Sequence, residues 1–151
     1  MARISYRSIR RAAGFSLVEL LVATSISGVL ASIAYPTFTG SVHKIRRTDA
    51  LVALMQVQQA EERFRSDGSR YGSLGEIGMT SMVADGRYVL SVDTPTATGY
   101  QALAVAAGSQ MGDTGCRYLK VVAAVGGWTL QSGSTAAVDN DATANRRCWN
   151  Q

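Results

Sequence analysis

The chain has 151 residues, enough for one globular domain and an additional extended segment. Its formal charge of +4 is unevenly distributed, because Arg3, Arg7, Arg10 and Arg11 all precede Gly14. Removing these four of the 15 basic residues leaves 11, which equals the 11 Asp and Glu residues. The basic balance therefore belongs to the N-terminal segment, and it is no evidence for nucleic-acid binding by the rest of the chain.

An apolar run follows these arginines. Residues 15–38 (FSLVELLVATSISGVLASIAYPTF) carry one charge, Glu19, and a helix of about 24 residues can cross the hydrocarbon core of a bilayer. The arginines predict that the helix enters from the cytoplasm with its C-terminus outside. A secretory signal has the same basic flank, but its shorter apolar stretch ends in a cleavage site on the far side, and this run lacks that layout.

Glu19 is the unusual residue of the apolar run. A carboxylate inside an apolar membrane helix costs roughly 2.5 to 3.5 kcal/mol on insertion scales and is usually kept for a function. The run contains no basic residue that could pair with it. The side chain could instead snorkel to the cytoplasmic headgroups. If Glu19 is paired, its partner must come from another chain or from a new chain terminus.

The segment GFSLVE, which begins at Gly14, resembles the processing motif of type IV prepilins and type II secretion pseudopilins. In that family a membrane aspartyl peptidase cleaves after the glycine and methylates the new phenylalanine amine. The resemblance implies that residues 1–14 are a leader peptide, that Phe15 becomes the N-methylated terminus, and that Glu19 forms an assembly salt link with the Phe15 amine of an adjacent subunit. Cleavage would thus create the cation that Glu19 lacks.

Pro36 lies near the end of the apolar run. A proline inside a helix removes one backbone donor and clashes with the carbonyl four residues before it, here that of Ser32. Gly28 weakens the same stretch. We therefore expect a helix kink involving Gly28 and Pro36, and the resemblance implies that this stretch loses helicity as subunits pack into a filament. Alternatively, Pro36 ends the membrane helix.

An amphipathic helix half is predicted over residues 39–66, which would make one helix from Phe15 to Ser66. Its charged residues, including Arg47 and Glu61, are expected on a solvated face. A connecting loop is predicted over 67–86, starting at an Asp-Gly-Ser break. The predicted apolar stripe consists of Val42, Ile45, Val52, Met55 and Gln59. Beside it lie Leu51, Leu54 and Val57.

The apolar period changes to two in residues 87–151. A meander of three or four antiparallel strands has one apolar face, which the amphipathic helix half can cover, so the predicted class is α+β. The order of helix, loop, meander and disulfide-closed C-terminal region is similar to that of the type IV pilin fold. The β-rich runs, separated by turn residues, are 87–93, 100–106, 117–123 and 128–131.

Cys116 and Cys148 are the two cysteines of the chain. If the helix carries the rest of the chain across a membrane, both thiols reach an oxidising compartment, where such a pair forms a disulfide. The alternative is two buried free cysteines in a head that stays in the cytosol. A disulfide closing a loop of about 33 residues would contribute roughly 3 to 4 kcal/mol. It would hold the polar tail over 133–145.

The sequence offers no catalytic constellation, so no enzyme and no cofactor are expected. Asp139, Asn140 and Asp141 with Asn145 could ligate calcium, but the EF-hand pattern is absent and a solvated loop is the simpler interpretation. A small basic and aromatic patch could contact a phosphate backbone, although most such patches are ordinary surface and no nucleic-acid partner is expected. Its residues are Arg146, Arg147, Trp149, Tyr118 and Lys120.

Within the resembling family, the chain is most similar to a minor pilin of the PilE kind in its run Ile33-Ala34-Tyr35-Pro36, its hydroxyl-rich membrane helix and its ending Cys148-Trp149. That resemblance implies a structural pilus subunit that supports assembly and pilus-dependent adhesion or twitching motility. Its partners would be other pilin subunits, the prepilin peptidase and methylase, and the assembly machinery of the inner membrane. The subunit would lie in the bacterial inner membrane and then in the extracellular pilus. One alternative is a type II secretion pseudopilin, although pseudopilins generally lack such a cysteine pair, and a further alternative is a DNA-binding competence pilin.

Overall fold

The computed structural model describes residues 14–83, 85–138 and 141–149. The predicted leader, apart from Gly14, lies outside the described residues. The chain forms two compact units, an N-terminal unit that ends at Phe38 and a head unit that begins at Thr39. Each unit is described by itself.

Helix α1 runs over Leu17–Gly68 and has 52 residues. It starts and ends two residues later than predicted. The helix is continuous through Gly28 and Pro36, so Pro36 does not end the membrane helix. The kink and the loss of helicity in a filament stay predictions.

The N-terminal unit exposes every described residue from Gly14 to Phe38. Several hydroxyl side chains of this stretch donate to carbonyls three or four residues earlier, as those of Thr24, Ser25 and Ser27 do at 2.8 to 3.0 Å. Such local bonds satisfy hydroxyl groups without a second element, which suits an apolar environment.

The head unit buries one face of the C-terminal half of α1 against its sheet. Most of the predicted apolar stripe is exposed instead, with Ile45 at 70% and Met55 at 56% exposure. The prediction that Arg47 and Glu61 lie on a solvated face is wrong, because both are buried. The buried face consists of Arg47, Ala50, Leu51, Ala53, Leu54, Val57, Ala60 and Glu61.

The described part of the head unit contains one antiparallel sheet of five strands in the order β1-β2-β3-β4-β5. The predicted count of three or four was therefore too low, since β1 lies inside the predicted connecting loop and β5 is a full strand. The strands are β1 (Met82–Val83), β2 (Tyr88–Asp93), β3 (Tyr100–Ala106), β4 (Tyr118–Ala124) and β5 (Gly127–Gly133).

Alternation along the central strands directs one face of the sheet into the core. Tyr88 pairs with Ala106, and Ala104 pairs with Leu119; all four residues are buried. After Tyr100, the buried positions of β3 are the small residues Ala102, Ala104 and Ala106. The core also includes Leu90 and Val121. The α+β class and the pilin fold are thus confirmed.

The C-terminal region contains a short 3-10 helix (Gly108–Gly112) before β4 and helix α2 (Ala142–Cys148) after β5. Asp141 caps α2 by accepting a bond from the amide of Ala144 at 2.7 Å. The Asn145 side chain donates to the carbonyl of Leu130 at 2.6 Å and accepts from Ser132 at 2.8 Å. These bonds attach α2 to the edge strand β5. Helix α2 was not predicted from the sequence.

Candidate functional site

The start of α1 is held by a capping box of Ser16 and Glu19. The backbone amide of Glu19 donates to Ser16 Oγ at 3.2 Å, and the amide of Ser16 donates to Glu19 Oε2 at 3.3 Å. Two amides that a helix start leaves without intrahelical partners are thereby satisfied. The box holds the Glu19 carboxylate beside the backbone of the residue that follows Phe15.

This geometry places the one carboxylate of the apolar run next to the predicted processing junction. Gly14 and Phe15 precede α1 and are exposed. In the uncleaved chain the Phe15 nitrogen is a neutral amide, whereas cleavage after Gly14 would turn it into an ammonium group. The carboxylate also lies at the positive end of the helix dipole. The capping box thus brings a carboxylate close to the junction at which the predicted cleavage would create a positive charge.

Sequence reasoning identified Glu19 but not the role of Ser16. The signal was present, because Ser-x-x-Glu before an apolar run is the sequence pattern of a capping box.

Gly28, in the predicted kink, is also exposed, and a Cβ built on it would meet no atom within 4 Å. The chain's own packing therefore does not require glycine at this position.

A buried ion pair organises the C-terminal region of the head unit. Arg47 is only 5% exposed, and its guanidinium donates to both carboxylate oxygens of Asp113 at 2.9 and 3.1 Å. It also donates to the carbonyl of Arg147 at 2.8 Å. The amide of Gln110 donates to the carbonyl of His43 at 3.1 Å and contacts Asp113. One buried charge thus joins α1 to the segment before β4 and to the end of α2.

The disulfide joins Cys116 and Cys148, whose Cα atoms are 5.5 Å apart. It brings Arg117, which follows Cys116, close to Arg146 and Arg147, which precede Cys148. Arg147 Nη2 lies 3.5 Å from the carbonyl oxygen of Gly115. Arg146 and Arg147 are exposed and Arg117 is half-buried. We call these three arginines the disulfide-edge cluster.

The basic and aromatic patch expected from the sequence is therefore only partly correct. Its arginines are on the surface, but Trp149 is 9% exposed and belongs to the core, so it offers no face for a nucleobase. Among the described residues no group of three or more His, Cys, Asp or Glu side chains could hold a metal ion. Asp139 and Asn140 of the alternative calcium loop lie outside those residues.

Helix α1 is also long and apolar enough to cross a membrane, by length and composition. Comparison with known proteins matches residues 9–35, which include the beginning of this helix, to the prokaryotic N-terminal methylation motif. Residues 36–120, more than half of the chain, match the family model described as "Type IV minor pilin ComP, DNA uptake sequence receptor". The chain belongs to the type IV pilin family.

Relatives of this pilin include secretion and pilus proteins. It is 31% identical over 106 residues to a type II secretion system core protein G of Pectobacterium carotovorum subsp. carotovorum. The aligned region covers 62% of the pilin and 67% of the relative. It is 33% identical over 76 residues to the Klebsiella pneumoniae protein of that name, 50% and 54% of the two chains. It is 35% identical over 66 residues to the type IV major pilin protein PilA of Myxococcus xanthus, 43% and 30% of the chains. The pilin thus spans about two thirds of the first relative and about half of the second.

Proposed function

We propose that this pilin is a structural minor subunit of a type IV pilus, which assembles through its N-terminal helix after removal of residues 1–14. The observation that carries the proposal is the position of the Glu19 carboxylate, held by Ser16, the second residue after the predicted cleavage junction. In this account the protein is a building block and no enzyme. It is a membrane protein before assembly and part of an extracellular filament afterwards.

The charge of Glu19 supplies the reason for pairing between subunits. A carboxylate surrounded by apolar helices is costly unless a cation meets it. A prepilin peptidase that cleaves after Gly14 would leave an ammonium group on Phe15, and methylation of a primary amine retains that charge. The Phe15 amine of an adjacent subunit is therefore a suitable partner for Glu19.

The side chains of the N-terminal unit support packing against other helices. All described residues up to Phe38 are exposed within the chain, and large apolar side chains such as Leu17, Leu21 and Ile33 lie among them. Gly28 has open space around it, which lets a neighbouring helix approach closely. Lipid would cover these surfaces before assembly, and helices of other subunits would cover them in a filament.

The disulfide favours a pilus subunit over a secretion pseudopilin. Several relatives are type II secretion core proteins, so the pseudopilin is the main alternative. The Cys116–Cys148 bond closes the C-terminal region that in the resembling pilins contacts neighbours or targets. The minor-pilin model covers more of the chain than the methylation motif does.

Replacing Glu19 by Val tests the assembly proposal. The variant should be inserted and processed normally, because the cleavage junction is intact, but it should enter filaments at least about tenfold less, since that factor corresponds to roughly 1.4 kcal/mol per subunit contact. Immunoblots of membranes measure processing, and blots of sheared filaments measure assembly. Thr24→Val is the matched control, because it removes a polar group from the same stretch without removing a charge. Normal incorporation of the Glu19→Val variant would exclude the salt link.

DNA binding is a second candidate function, and the disulfide-edge cluster favours it. Three arginines next to one disulfide give a local positive surface on a chain whose cleaved form would be neutral overall. The matching family model, which is described as a DNA uptake sequence receptor, includes Arg117 within its residues 36–120. Arg146 and Arg147 lie outside that match, and what supports their contact with a phosphate backbone is their exposed positive charge beside the disulfide.

A gel-shift titration of a short DNA duplex with the full-length pilin in detergent tests this candidate. Arg146→Ala and Arg147→Ala should each weaken binding and lower the slope of log K against log salt by about one, as expected for a lost phosphate contact. Arg70→Ala is the control, because Arg70 is paired with Glu76 at 2.6 Å. An equal loss in the control, or no shift at low salt, would contradict a DNA-binding role for the cluster.

A further inference from the structure

A groove lies between the C-terminal part of α1 and the turn that joins β4 to β5. It consists of two adjoining depressions of about 310 and 490 Å³, and both are lined by Glu62 and Trp128. The first also contains Arg65, Tyr71 and the turn residues, and the second contains Gln58, Gln59 and Arg63. Volumes of this size suit a small ligand or a few rings of a longer one.

Trp128 forms an aromatic wall of this groove. It lies on the helix-facing side of the edge strand β5, opposite Ala123, yet its side chain is 43% exposed. Its ring meets the Tyr100 ring edge-on at 6.0 Å, and Tyr100 meets Tyr71 at 4.7 Å. The indole thus packs against Tyr100, which Tyr71 supports in turn, while part of its surface faces solvent. A ring fixed in this way offers a stacking surface at little cost in side-chain entropy.

The polar groups beside Trp128 are also held in place. Arg65 lies over the Tyr71 ring, 5.1 Å from its centroid, and donates to the Tyr71 hydroxyl at 3.1 Å. That hydroxyl donates to Glu62 Oε1 at 3.2 Å. The Glu62 carboxylate is therefore oriented before any ligand arrives. Its acceptor oxygens lie on the same wall as the amides of Gln58 and Gln59, which can both donate and accept.

The opposite wall is a glycine turn. Gly126 and Gly127 have φ angles of 102° and 144°, which L side chains rarely adopt, and a Cβ on either would meet no atom within 4 Å. Val125 beside them is highly exposed. The turn therefore leaves the groove open at this side. The turn residues lie outside the range 36–120 that matches the minor-pilin family model, so that match gives no information about the turn.

We infer that this groove binds a neutral glycan, with one sugar ring stacked on Trp128 and its hydroxyl groups bonded by Glu62, Gln58 and Gln59. A hydroxyl group both donates and accepts, which fits a mixed set of carboxylate, carboxamide and guanidinium groups. Arg63 and Arg65 line the groove together with Glu62, so its lining carries charges of both signs rather than the purely basic surface that a polyanion would favour. The inference concerns the head unit alone and does not depend on how the pilin assembles.

Fluorescence titration of the full-length pilin in detergent tests the inference, because Trp128 is one of only two tryptophans and the other, Trp149, is buried. The probes are maltohexaose, cellohexaose and N-acetylchitohexaose, with single-stranded oligothymidylate as the polyanionic comparison. At least one hexasaccharide should change the emission saturably. Trp128→Ala should weaken that binding at least about tenfold, measured by isothermal titration calorimetry, as loss of an aromatic stacking contact requires.

Three further variants separate loss of the site from loss of the fold. Trp128→Phe retains a ring against Tyr100 and should retain part of the affinity, whereas Glu62→Gln should weaken binding several-fold. Tyr118→Ala, an aromatic truncation on the other face of the sheet, should leave binding unchanged. The inference is overturned if no hexasaccharide binds at millimolar concentration, or if binding survives Trp128→Ala. It is also overturned if oligothymidylate binds through Trp128 more tightly than every sugar.

Discussion

The N-terminal unit and the head unit satisfy their polar groups in different ways. In the N-terminal unit the hydroxyls of Thr24, Ser25 and Ser27 donate to backbone carbonyls only three or four residues away. In the head unit Arg47 bonds to Asp113 and to the carbonyl of Arg147, 66 and 100 positions along the chain. The first unit thus has its local bonds but exposes its apolar surface, whereas the second is closed by long-range bonds, a core and a disulfide. The N-terminal unit therefore leaves a large apolar surface that must be covered from outside the chain, whereas the head unit buries a core of its own.

The largest effect on the stability of the head unit is expected from Arg47→Ala. Removal of one partner leaves Asp113 as a nearly buried charge without its cation, which costs about 3 to 5 kcal/mol. Urea unfolding in detergent micelles, followed by tryptophan fluorescence, measures the loss. Lys44→Ala, an exposed change on the same helix, is the control. A loss below about 1 kcal/mol would mean that the ion pair does not hold the head unit together.

The next largest effect is expected from Cys116→Ser with Cys148→Ser. The disulfide closes a segment with a sequence separation of 32, and its removal should cost roughly 3 to 4 kcal/mol by restoring entropy to the unfolded chain. Treatment of the wild-type pilin with a reductant should lower its midpoint of urea unfolding to that of the double variant. The double variant should not respond to reductant. An unchanged wild-type midpoint after confirmed reduction would contradict this role.

Leu54 and Met55 are neighbours in α1 but differ in burial, so their variants should differ in stability. Leu54 is buried in the core, so Leu54→Ala should lower the free energy of unfolding by about 3 kcal/mol. Met55 is exposed, so Met55→Ala should lower it by less than about 0.5 kcal/mol. The same unfolding assay compares them. Equal losses of stability would contradict the assignment of Leu54 to the buried face of α1 and of Met55 to its exposed face.

A smaller effect than that of Leu54→Ala is expected from Glu61→Gln, and its size depends on pH. Glu61 is buried, its Oε2 accepts the amide of Gly72 at 2.9 Å, and its Oε1 has no hydrogen-bond partner among the described residues. Burial raises the pKa of this carboxyl above its ordinary value. The folded state then binds a proton more tightly than the unfolded state does. The contribution of Glu61 to stability is therefore fully present below the unfolded pKa and is lost as pH rises through the folded pKa.

Glutamine keeps an acceptor for the Gly72 amide and carries no charge at any pH. Glu61→Gln should therefore raise the free energy of unfolding by roughly 1 kcal/mol at neutral pH, the scale of one buried polar group. The gain should vanish in acid, below the ordinary pKa of a glutamate. Unfolding curves at several pH values measure the difference from wild type. A gain that does not change with pH would show that the charge of Glu61 is not its cause.

Much of the fold could be predicted because local patterns determine it. The apolar run, the helical spacing after Thr39 and the alternation in β2, β3 and β4 each predicted an element within one or two residues of its observed bounds. The register of the buried helix face could not be predicted. Two apolar stripes lie side by side on α1, and only packing against the sheet decides that Leu54, and not Met55, is covered.

Buried charges were missed for a related reason. Composition places Arg47 and Glu61 on the surface, and only the long-range bonds of Arg47 to Asp113 and of Glu61 to Gly72 explain why they lie inside. Helix α2 was missed because its seven residues are mostly polar, although Asp141 before them is a good N-cap. At the start of α1, Glu19 could be identified from its charge, whereas Ser16 required the capping-box pattern.

Intact-mass spectrometry of sheared filaments tests the central claim most directly. The account predicts a chain that begins at Phe15, carries one added methyl group, and is two hydrogen atoms lighter than the reduced form because of the disulfide. Its abundance should be far below that of the major subunit. A chain that retains Met1 to Gly14 in filaments, or the absence of this chain from filaments while it accumulates in the membrane, would contradict the account.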